Sequence, residues 1–346
     1  MAGDVCVGVI ANPASGRDIR RLVAGASVFG NADKAGMVYR LLAGLGAAGV
    51  GRALMLPAAD GLSATLHRHL HGRRMGAGHH AAGPFPELEE LPIALHGTAR
   101  DSAAAVEAML AAGVAAIVVL GGDGTHRVVA KACGDVPLCA LSTGTNNCCP
   151  EMREATVAGL ATGMVATGRA GDGALRREAA LIVELPGGER DLALVDVAVT
   201  RERFIGARAL WRPGDVSELV VTFANPGAVG LSAVAGALRP LARGSGQGLH
   251  VRLADDEREA EREVRAALAP GLVAPVRVAS HRVLALGESV EIEAGGGAVA
   301  LDGEREIERA HGEQVTVRLV PGPLTIDVDA VLSAAAHERV MGGSQG

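Results

Sequence analysis

The chain has 346 residues and a formal net charge of −6, a balance that argues against a polyanionic partner such as nucleic acid. Aromatic residues make up only 2% of it, which excludes the stacking platforms that bind single-stranded nucleic acid. No run of about 18 apolar residues occurs, and the sequence therefore predicts a cytoplasmic protein that does not act at a membrane.

Short apolar runs alternate with amphipathic stretches in the first half of the chain. The predicted strands are residues 5–10, 52–56, 92–96, 114–120 and 138–141. Residues 34–45 carry apolar side chains at helical spacing, and residues 101–112 read as a second helix. Strands that alternate with helices predict a doubly wound parallel sheet, in which ligands bind beyond the carboxyl ends of the strands.

One turn, Gly121-Gly122-Asp123-Gly124-Thr125, follows the most apolar of these strands. Its glycines allow close approach of a ligand and positive φ, and free amides at a helix N-terminus attract a phosphate. A carboxylate in such a donor-rich turn suits Mg²⁺ binding or proton abstraction from a hydroxyl. The alternative interpretation is a tight turn in which Asp123 simply caps the next helix.

Two other polar loops follow predicted strands. Asn12 comes after the first strand, and residues 143–147 come after the fifth. Because the carboxyl ends of parallel strands meet at one edge of a sheet, we expect these loops to lie beside Asp123. Their convergence favours a ligand site over an ordinary turn.

Two features of the first half have competing interpretations. Residues 57–92 are rich in Gly, Pro and His and are predicted to form a solvated insertion, although His67 and His71 could clasp a metal if the segment is helical. The five cysteines are predicted to be free thiols that pack as small hydrophobic side chains. A redox or metal role for the adjacent Cys148 and Cys149 is the alternative.

The composition changes near residue 170. Short alternating strand-like runs follow, which predict an antiparallel β domain, and residues 255–268 are predicted to form an exposed helix. We therefore expect an α/β domain over residues 1–168 and a β-rich domain over residues 169–323. Residues 324–340 are expected to return to the first domain.

Four stretches resemble one superfamily, in the order in which that superfamily has them. They are Asn12-Pro13-Ala14-Ser15-Gly16, Gly121-Gly122-Asp123-Gly124-Thr125, Ser142-Thr143-Gly144-Thr145-Asn146-Asn147 and Asp302-Gly303-Glu304. The chain resembles the ATP-NAD kinase-like and diacylglycerol kinase catalytic-domain superfamily. Residues 10–50 are most similar to its acetoin catabolism protein X branch.

The resemblance implies a fold and an activity. The fold is α/β plus all-β, with a doubly wound N-terminal domain and a C-terminal antiparallel, β-sandwich-like domain. The activity is transfer of a phosphoryl group from ATP, with Mg²⁺, to a hydroxyl of a soluble metabolite, nominally NAD, in connection with acetoin catabolism. The alternatives are a lipid kinase and a non-catalytic nucleotide or dinucleotide sensor.

The resemblance also assigns residue roles. Asp123, Asp302 and Glu304 would be catalytic, and Asp123 would also hold Mg²⁺, directly or indirectly. The nucleotide would be bound by Asn12, Gly121, Gly122, Gly124, Thr125, Thr143, Gly144, Thr145 and Asn147. The alternative for Asp302-Gly303 is a simple hairpin turn, a common role for this dipeptide.

The chain departs from the superfamily around the acceptor. Cys148 stands where lipid kinases carry Asp, and Ser142 stands where they carry Pro. Residues 225–232 match the acceptor motif of NAD kinases only weakly. The expected partners are a nucleotide and a small-molecule acceptor, without nucleic acid or membrane, and we expect a homo-oligomer.

Overall fold

The structure is a computed structural model that describes residues 5–13, 29–58, 61–75, 83–144, 147–185, 187–200, 215–293, 297–303, 305–309 and 314–337. The helices are α1 (Asn31–Ala47), α2 (Leu62–Arg74), α3 (Ala99–Ala111), α4 (Asp123–Ala132), α5 (Ala155–Ala166), α6 (Ser232–Leu238) and α7 (Val328–His337). None of these helices has the length and apolar character needed to cross a membrane.

The strands of the first half are β1 (Cys6–Ala11), β2 (Arg52–Met55), β3 (Glu87–Glu90), β4 (Ala116–Gly121) and β5 (Leu138–Ser142). Those that follow are β6 (Leu175–Glu184), β7 (Arg190–Ala193), β8 (Asp196–Thr200), β9 (Val216–Val221), β10 (Gln247–Leu253), β11 (Arg262–Ala269), β12 (Leu272–Ala285), β13 (Ser289–Glu293), β14 (Gly297–Leu301), β15 (Arg305–Arg309) and β16 (Gln314–Ile326).

The first sheet begins with five parallel strands in the order β3-β2-β1-β4-β5. Their side chains are apolar on both faces, and helices cover both: α1, α2, α5 and α7 pack on one face, and α3 and α4 on the other. The strand order reverses between β1 and β4, so the crevice at their carboxyl ends is the expected ligand site. The predicted doubly wound parallel sheet is confirmed.

The same sheet continues into the second half of the chain. β16 joins β5 and then pairs antiparallel with β6 and β13, and β7 extends β6. A second, antiparallel sheet has the order β11-β12-β10-β9-β8-β14-β15. Apolar side chains such as Leu181 and Leu319 of the first sheet and Val197 and Val220 of the second form one core cluster. The predicted antiparallel, sandwich-like part is confirmed.

The helix predicted at residues 255–268 is wrong. Arg262–Ala269 forms strand β11, which pairs antiparallel with β12. Val264, Ala266 and Leu268 are buried on alternate positions, the period of a strand rather than of a helix. The charged residues around 255–263 conceal this alternation in the sequence.

The region predicted as a solvated insertion contains regular structure. Helix α2 buries Leu62 and Leu66 completely in the core of the first domain. The third strand is Glu87–Glu90 rather than residues 92–96. This edge strand is acidic, and Glu89 pairs with Arg52 of β2 at 2.9 Å, so it lacks the apolar signal of the other strands.

The described part of this region offers no assembled metal site. His67 and His71 lie on α2 as the metal alternative required, and the Nε2 atom of His67 is 3.5 Å from a carboxylate oxygen of Glu90. Within the described residues, however, no group of three His, Cys, Asp or Glu side chains is placed to hold a metal ion. Residues 59–60 and 76–82 lie outside the described part.

Helices α1 and α5 pack with their backbones in close contact. A Cβ atom at Gly159 of α5 would meet the main-chain carbonyl of Leu41, and one at Gly44 of α1 would meet the carbonyl of Thr156. Neither obstacle can rotate away because both are backbone atoms. The glycines therefore set the distance between the two helices that cover one face of the parallel sheet.

We expect Gly159→Ala to lower the free energy of unfolding by about 1 to 3 kcal/mol, because the added methyl group forces these helices apart. Gly72→Ala is the matched control: Gly72 lies in α2 with open space around its Cβ position, so alanine should stabilise the helix by up to about 1 kcal/mol. Urea denaturation measures both changes. Equal stability of the Gly159 variant and the wild type would contradict the packing described.

Candidate functional site

The glycine-rich turn joins β4 directly to α4. Gly122 is the N-cap residue, and Asp123 is the first residue of the helix. The φ angle of Gly122 is −95°, so the left-handed freedom anticipated for these glycines is not used at this position. Gly121 is required for a steric reason, because a Cβ atom there would lie 2.7 Å from Cβ of Thr125. Because Gly121 has no side chain, strand β4 can lead directly into helix α4 without an intervening loop.

The carboxylate of Asp123 is held by the loop that follows β5. Its Oδ1 atom accepts a hydrogen bond from the amide of Cys149 at 2.7 Å, and Oδ2 accepts one from the amide of Cys148 at 3.0 Å. Asp123 is only 7% exposed. These amides compensate the cost of burying the charge and fix the direction of the carboxylate.

The first and fourth strands are joined at the same edge. The side-chain amide of Asn12 donates to Oγ1 of Thr125 at 2.9 Å, and the Asn12 backbone amide donates to the Leu120 carbonyl. Lys34 of α1 is buried, and its ammonium group donates to the carbonyls of Asn12 at 3.0 Å and Pro13 at 3.3 Å. The structure thus brings Asn12 against the glycine-rich turn, as the topology predicted.

Lys34 was not predicted as a site residue, although the sequence pattern could have indicated it. It occupies the apolar stripe that continues through Val38 and Leu41 of α1, where a charged residue is out of place. A lysine on a buried helical face needs polar partners, and here they are backbone carbonyls of the loop after β1.

The loop after β5 closes over the turn from the other side. The hydroxyl of Ser142 donates to the Gly144 carbonyl and accepts from the side-chain amide of Asn147, each at 2.6 Å. The Thr143 amide donates to the carbonyl of Gly121 at 3.3 Å. Thr143, Gly144 and Asn147 therefore lie beside the turn as predicted, whereas Thr145 lies outside the described residues.

Asp302 occupies the turn between β14 and β15. Its φ angle is 51° and that of Gly303 is 64°, so this dipeptide forms the turn of a β-hairpin. Its carboxylate also accepts hydrogen bonds from the backbone amides of Leu194, Val195 and Asp196, and its side chain is fully buried. Glu304 lies outside the described residues.

Helix α4 connects the two acidic sites. Arg127, one turn after Asp123, donates to the carbonyl of Leu301 at 2.9 Å, and its Nη1 atom is 3.7 Å from Oδ2 of Asp302. Burial raises the pKa of Asp302 to about 6, and the charge of Arg127 opposes that rise. Helix α4 thus places Asp123 against the loop after β5 and Arg127 against the β-rich part.

A third acid, Asp196, was missed by the sequence analysis. It is buried near the other two, and burial together with the charges of Asp302 and Asp123 raises its pKa well above the ordinary value. Nothing in its apolar surroundings in the sequence distinguishes it from a strand residue at the start of β8.

His126 fixes the peptide before Asp123. It is buried, and its Nδ1 atom lies 2.8 Å from the carbonyl oxygen of Gly122. Burial lowers its pKa to about 4, so the ring is neutral and Nδ1 carries the proton it donates. Within the described residues Nε2 has no hydrogen-bond partner, and the ring lines a cavity of about 20 Å³ beside Glu178 and Arg243.

The cysteines of the site are not activated. Burial raises the pKa of Cys148 to about 12 and also raises that of Cys149, and the nearby charge of Asp123 acts in the same direction. Both thiols are therefore protonated and weakly nucleophilic. Their contribution to the site is made by their backbone amides.

The lowered pKa of His126 predicts a pH-dependent loss of stability. An unfolded histidine titrates near 6.5 and the folded one near 4, so the neutral buried ring stabilises the fold above pH 6.5 and loses this contribution as the pH falls towards 4. The loss amounts to about 3 kcal/mol. Asp302 has the opposite pH dependence. Its pKa is raised in the folded protein, so its contribution to the free energy of unfolding is lost as the pH rises through about 6.

His126→Asn isolates this contribution, since an amide can still donate to the Gly122 carbonyl but does not titrate. We expect the stability advantage of the wild type over this variant to shrink between pH 6.5 and about pH 4, as measured by urea denaturation. A constant difference across that range would show that His126 is not held neutral by burial.

Comparisons with known proteins match both halves of the chain. The ATP-NAD kinase N-terminal domain family matches residues 7–170, and the acetoin catabolism protein X C-terminal domain family matches residues 179–322. Yeast NADH kinase complexed with NADH aligns at 12% identity and a TM-score of 0.49, over 99% of this chain and 89% of its own. A candidate diacylglycerol kinase from Bacillus anthracis str. Sterne aligns at 13% identity and a TM-score of 0.43, over 94% of this chain and 98% of its own.

The sequence relationship is much stronger than these structural ones. Acetoin catabolism protein X of Cupriavidus necator is 44% identical over 341 residues, which cover 97% of this chain and 93% of that protein. The match covers nearly the whole chain and therefore extends across both family domains. The chain therefore belongs to the acetoin catabolism protein X family, with an NAD kinase-like N-terminal domain.

Proposed function

We propose that this protein is an ATP-dependent phosphotransferase whose acceptor is a hydroxyl of a small soluble metabolite, nominally NAD, in acetoin catabolism. The observation that carries the proposal is the position of Asp123. A single buried carboxylate begins α4 at the switch point of a parallel sheet, where helix amides attract phosphate. A carboxylate there would repel the phosphates unless it served the reaction.

The nucleotide phosphates would lie along the glycine-rich turn. Gly121, Gly122, Gly124 and Thr125 supply its backbone, and Asn12 secures Thr125 from β1. The loop after β5 would bound the nucleotide on the other side through Thr143, Gly144, Thr145 and Asn147. A division into an α/β nucleotide domain and a β-rich acceptor domain near residue 170 is supported by the two family matches.

The described residues suit Mg²⁺ that is shared with the substrate. They do not assemble three protein ligands at one place, and Mg²⁺ commonly binds through one or two carboxylates together with phosphates and water. Asp123 would be the carboxylate that holds it, and when bound the ion would neutralise charge on the phosphates.

Asp123 would also accept the proton of the acceptor. As the acceptor oxygen bonds to the γ-phosphorus, the bond to the β,γ-bridging oxygen breaks, ADP leaves and the hydroxyl proton passes to Asp123. Asp302 was assigned a catalytic role with Glu304, but its carboxylate accepts hydrogen bonds from three backbone amides and its side chain is fully buried. We propose that Asp302 positions α4 through Arg127.

A nucleotide sensor is the second candidate, and one observation favours it. Both oxygens of Asp123 already accept hydrogen bonds from the amides of Cys148 and Cys149, and the residue is 7% exposed. A turn in this state binds a nucleotide through its backbone without committing the carboxylate to chemistry.

Asp123→Asn separates the two candidates. Asparagine keeps the size of the side chain but removes its charge and basicity, so we expect turnover to fall by roughly 10²- to 10⁴-fold. Nucleotide affinity without Mg²⁺ should change little, because the backbone makes those contacts. The measurements are acceptor-dependent ADP release and ATP binding with and without Mg²⁺.

Glu107→Gln is the matched control, since Glu107 is an exposed acid on α3 and should not affect either measurement. Wild-type turnover in the Asp123 variant would remove this residue from the mechanism. Nucleotide binding by a wild-type protein that never releases ADP with any acceptor would instead identify a sensor.

A further inference from the structure

One peptide group lies between Asp123 and an arginine from the β-rich part. Its N–H, which belongs to Cys149, donates to Oδ1 of Asp123 at 2.7 Å. Its carbonyl, which belongs to Cys148, accepts a hydrogen bond from Nη2 of Arg243. The two ends of the Cys148–Cys149 peptide therefore contact opposite charges.

Arg243 is held firmly for this contact. Its side chain is 18% exposed, and its guanidinium carbon lies 4.3 Å from the centre of the Phe223 ring. Its Nη1 atom is 4.0 Å from a carboxylate oxygen of Glu178. A stacked, mostly buried guanidinium loses little further freedom when it hydrogen-bonds a carbonyl.

The arrangement strengthens the bond to Asp123. A cation that binds the carbonyl of a peptide polarises the group, which makes the N–H on its other side a better donor. The Cys149 amide therefore holds the Asp123 carboxylate more firmly when Arg243 is in place.

We propose that Arg243 is a positioning residue for phosphotransfer, which sets the orientation of Asp123 through the Cys148–Cys149 peptide. The proposal rests on the proposed function. It makes the β-rich part necessary for the chemistry of the glycine-rich turn, because Arg243 follows α6 whereas Asp123 lies in α4.

The contact can be observed without any activity. The chain has five cysteines, so labelling with ¹⁵N-cysteine gives five backbone amide signals, and Cys148→Ser and Cys149→Ser assign two of them. We expect Arg243→Gln to move the Cys149 amide proton upfield, by more than the signals of Cys6, Cys133 or Cys139. Arg243→Lys keeps the charge without the planar fork and should give a smaller shift in the same direction.

Arg169→Gln is the matched control, because Arg169 also donates to a main-chain carbonyl, that of Ala48 at the end of α1, and should leave the Cys149 signal in place. An unmoved Cys149 signal in the folded Arg243→Gln variant would overturn the proposal. If that variant does not fold, Arg243→Lys decides in the same way, since no upfield shift at Cys149 would overturn it.

Kinetics test the consequence for the reaction. Removing Arg243 weakens the amide contact that orients Asp123, so kcat should fall by up to about 10²-fold in Arg243→Gln. Nucleotide affinity without Mg²⁺ should stay within about 2-fold, because the turn backbone is unchanged. An unchanged kcat in the folded variant would overturn the role in phosphotransfer. A wild type without phosphotransfer would overturn the proposed function, and the Cys149 signal would still decide the contact.

Discussion

A buried carboxylate that must find hydrogen-bond donors determines the architecture of this site. Asp123 can lie at 7% exposure because the amides of Cys148 and Cys149 meet it, and this contact holds the loop after β5 against the turn after β4. Asn12 ties the loop after β1 to the same turn through Thr125. Three strand ends are thereby fixed around the first turn of one helix.

The same helix, α4, also contacts the β-rich part. Arg127 contacts the hairpin at Asp302. The Asp302 carboxylate accepts hydrogen bonds from three backbone amides at and just before the start of β8. Burial raises the pKa values of both Asp302 and Asp196, whereas the charge of Arg127 and the three amides oppose that rise at Asp302.

Sequence alone predicted the parallel sheet and the convergence at its edge, because buried parallel strands are continuous apolar runs and their loops must share one side. It could not predict the partners of Asp302, which lie more than 100 residues away. Strand β11 was mistaken for a helix because charged neighbours mask the alternation of Val264 and Ala266. Asp196 was missed since burial of a polar side chain depends on contacts that its local sequence does not record, whereas Lys34 interrupts the apolar stripe of α1 and could have been noticed.

We propose that the turn beginning with Gly121 holds the phosphates of ATP and that Asp123 faces the transferred one. A crystal structure with a non-hydrolysable ATP analogue and Mg²⁺ is the most direct test. We expect phosphate oxygens within hydrogen-bond distance of the amides of residues 122–125, with the terminal phosphate on the side of Asp123. An analogue bound elsewhere, or bound with its phosphates directed away from α4, would contradict it.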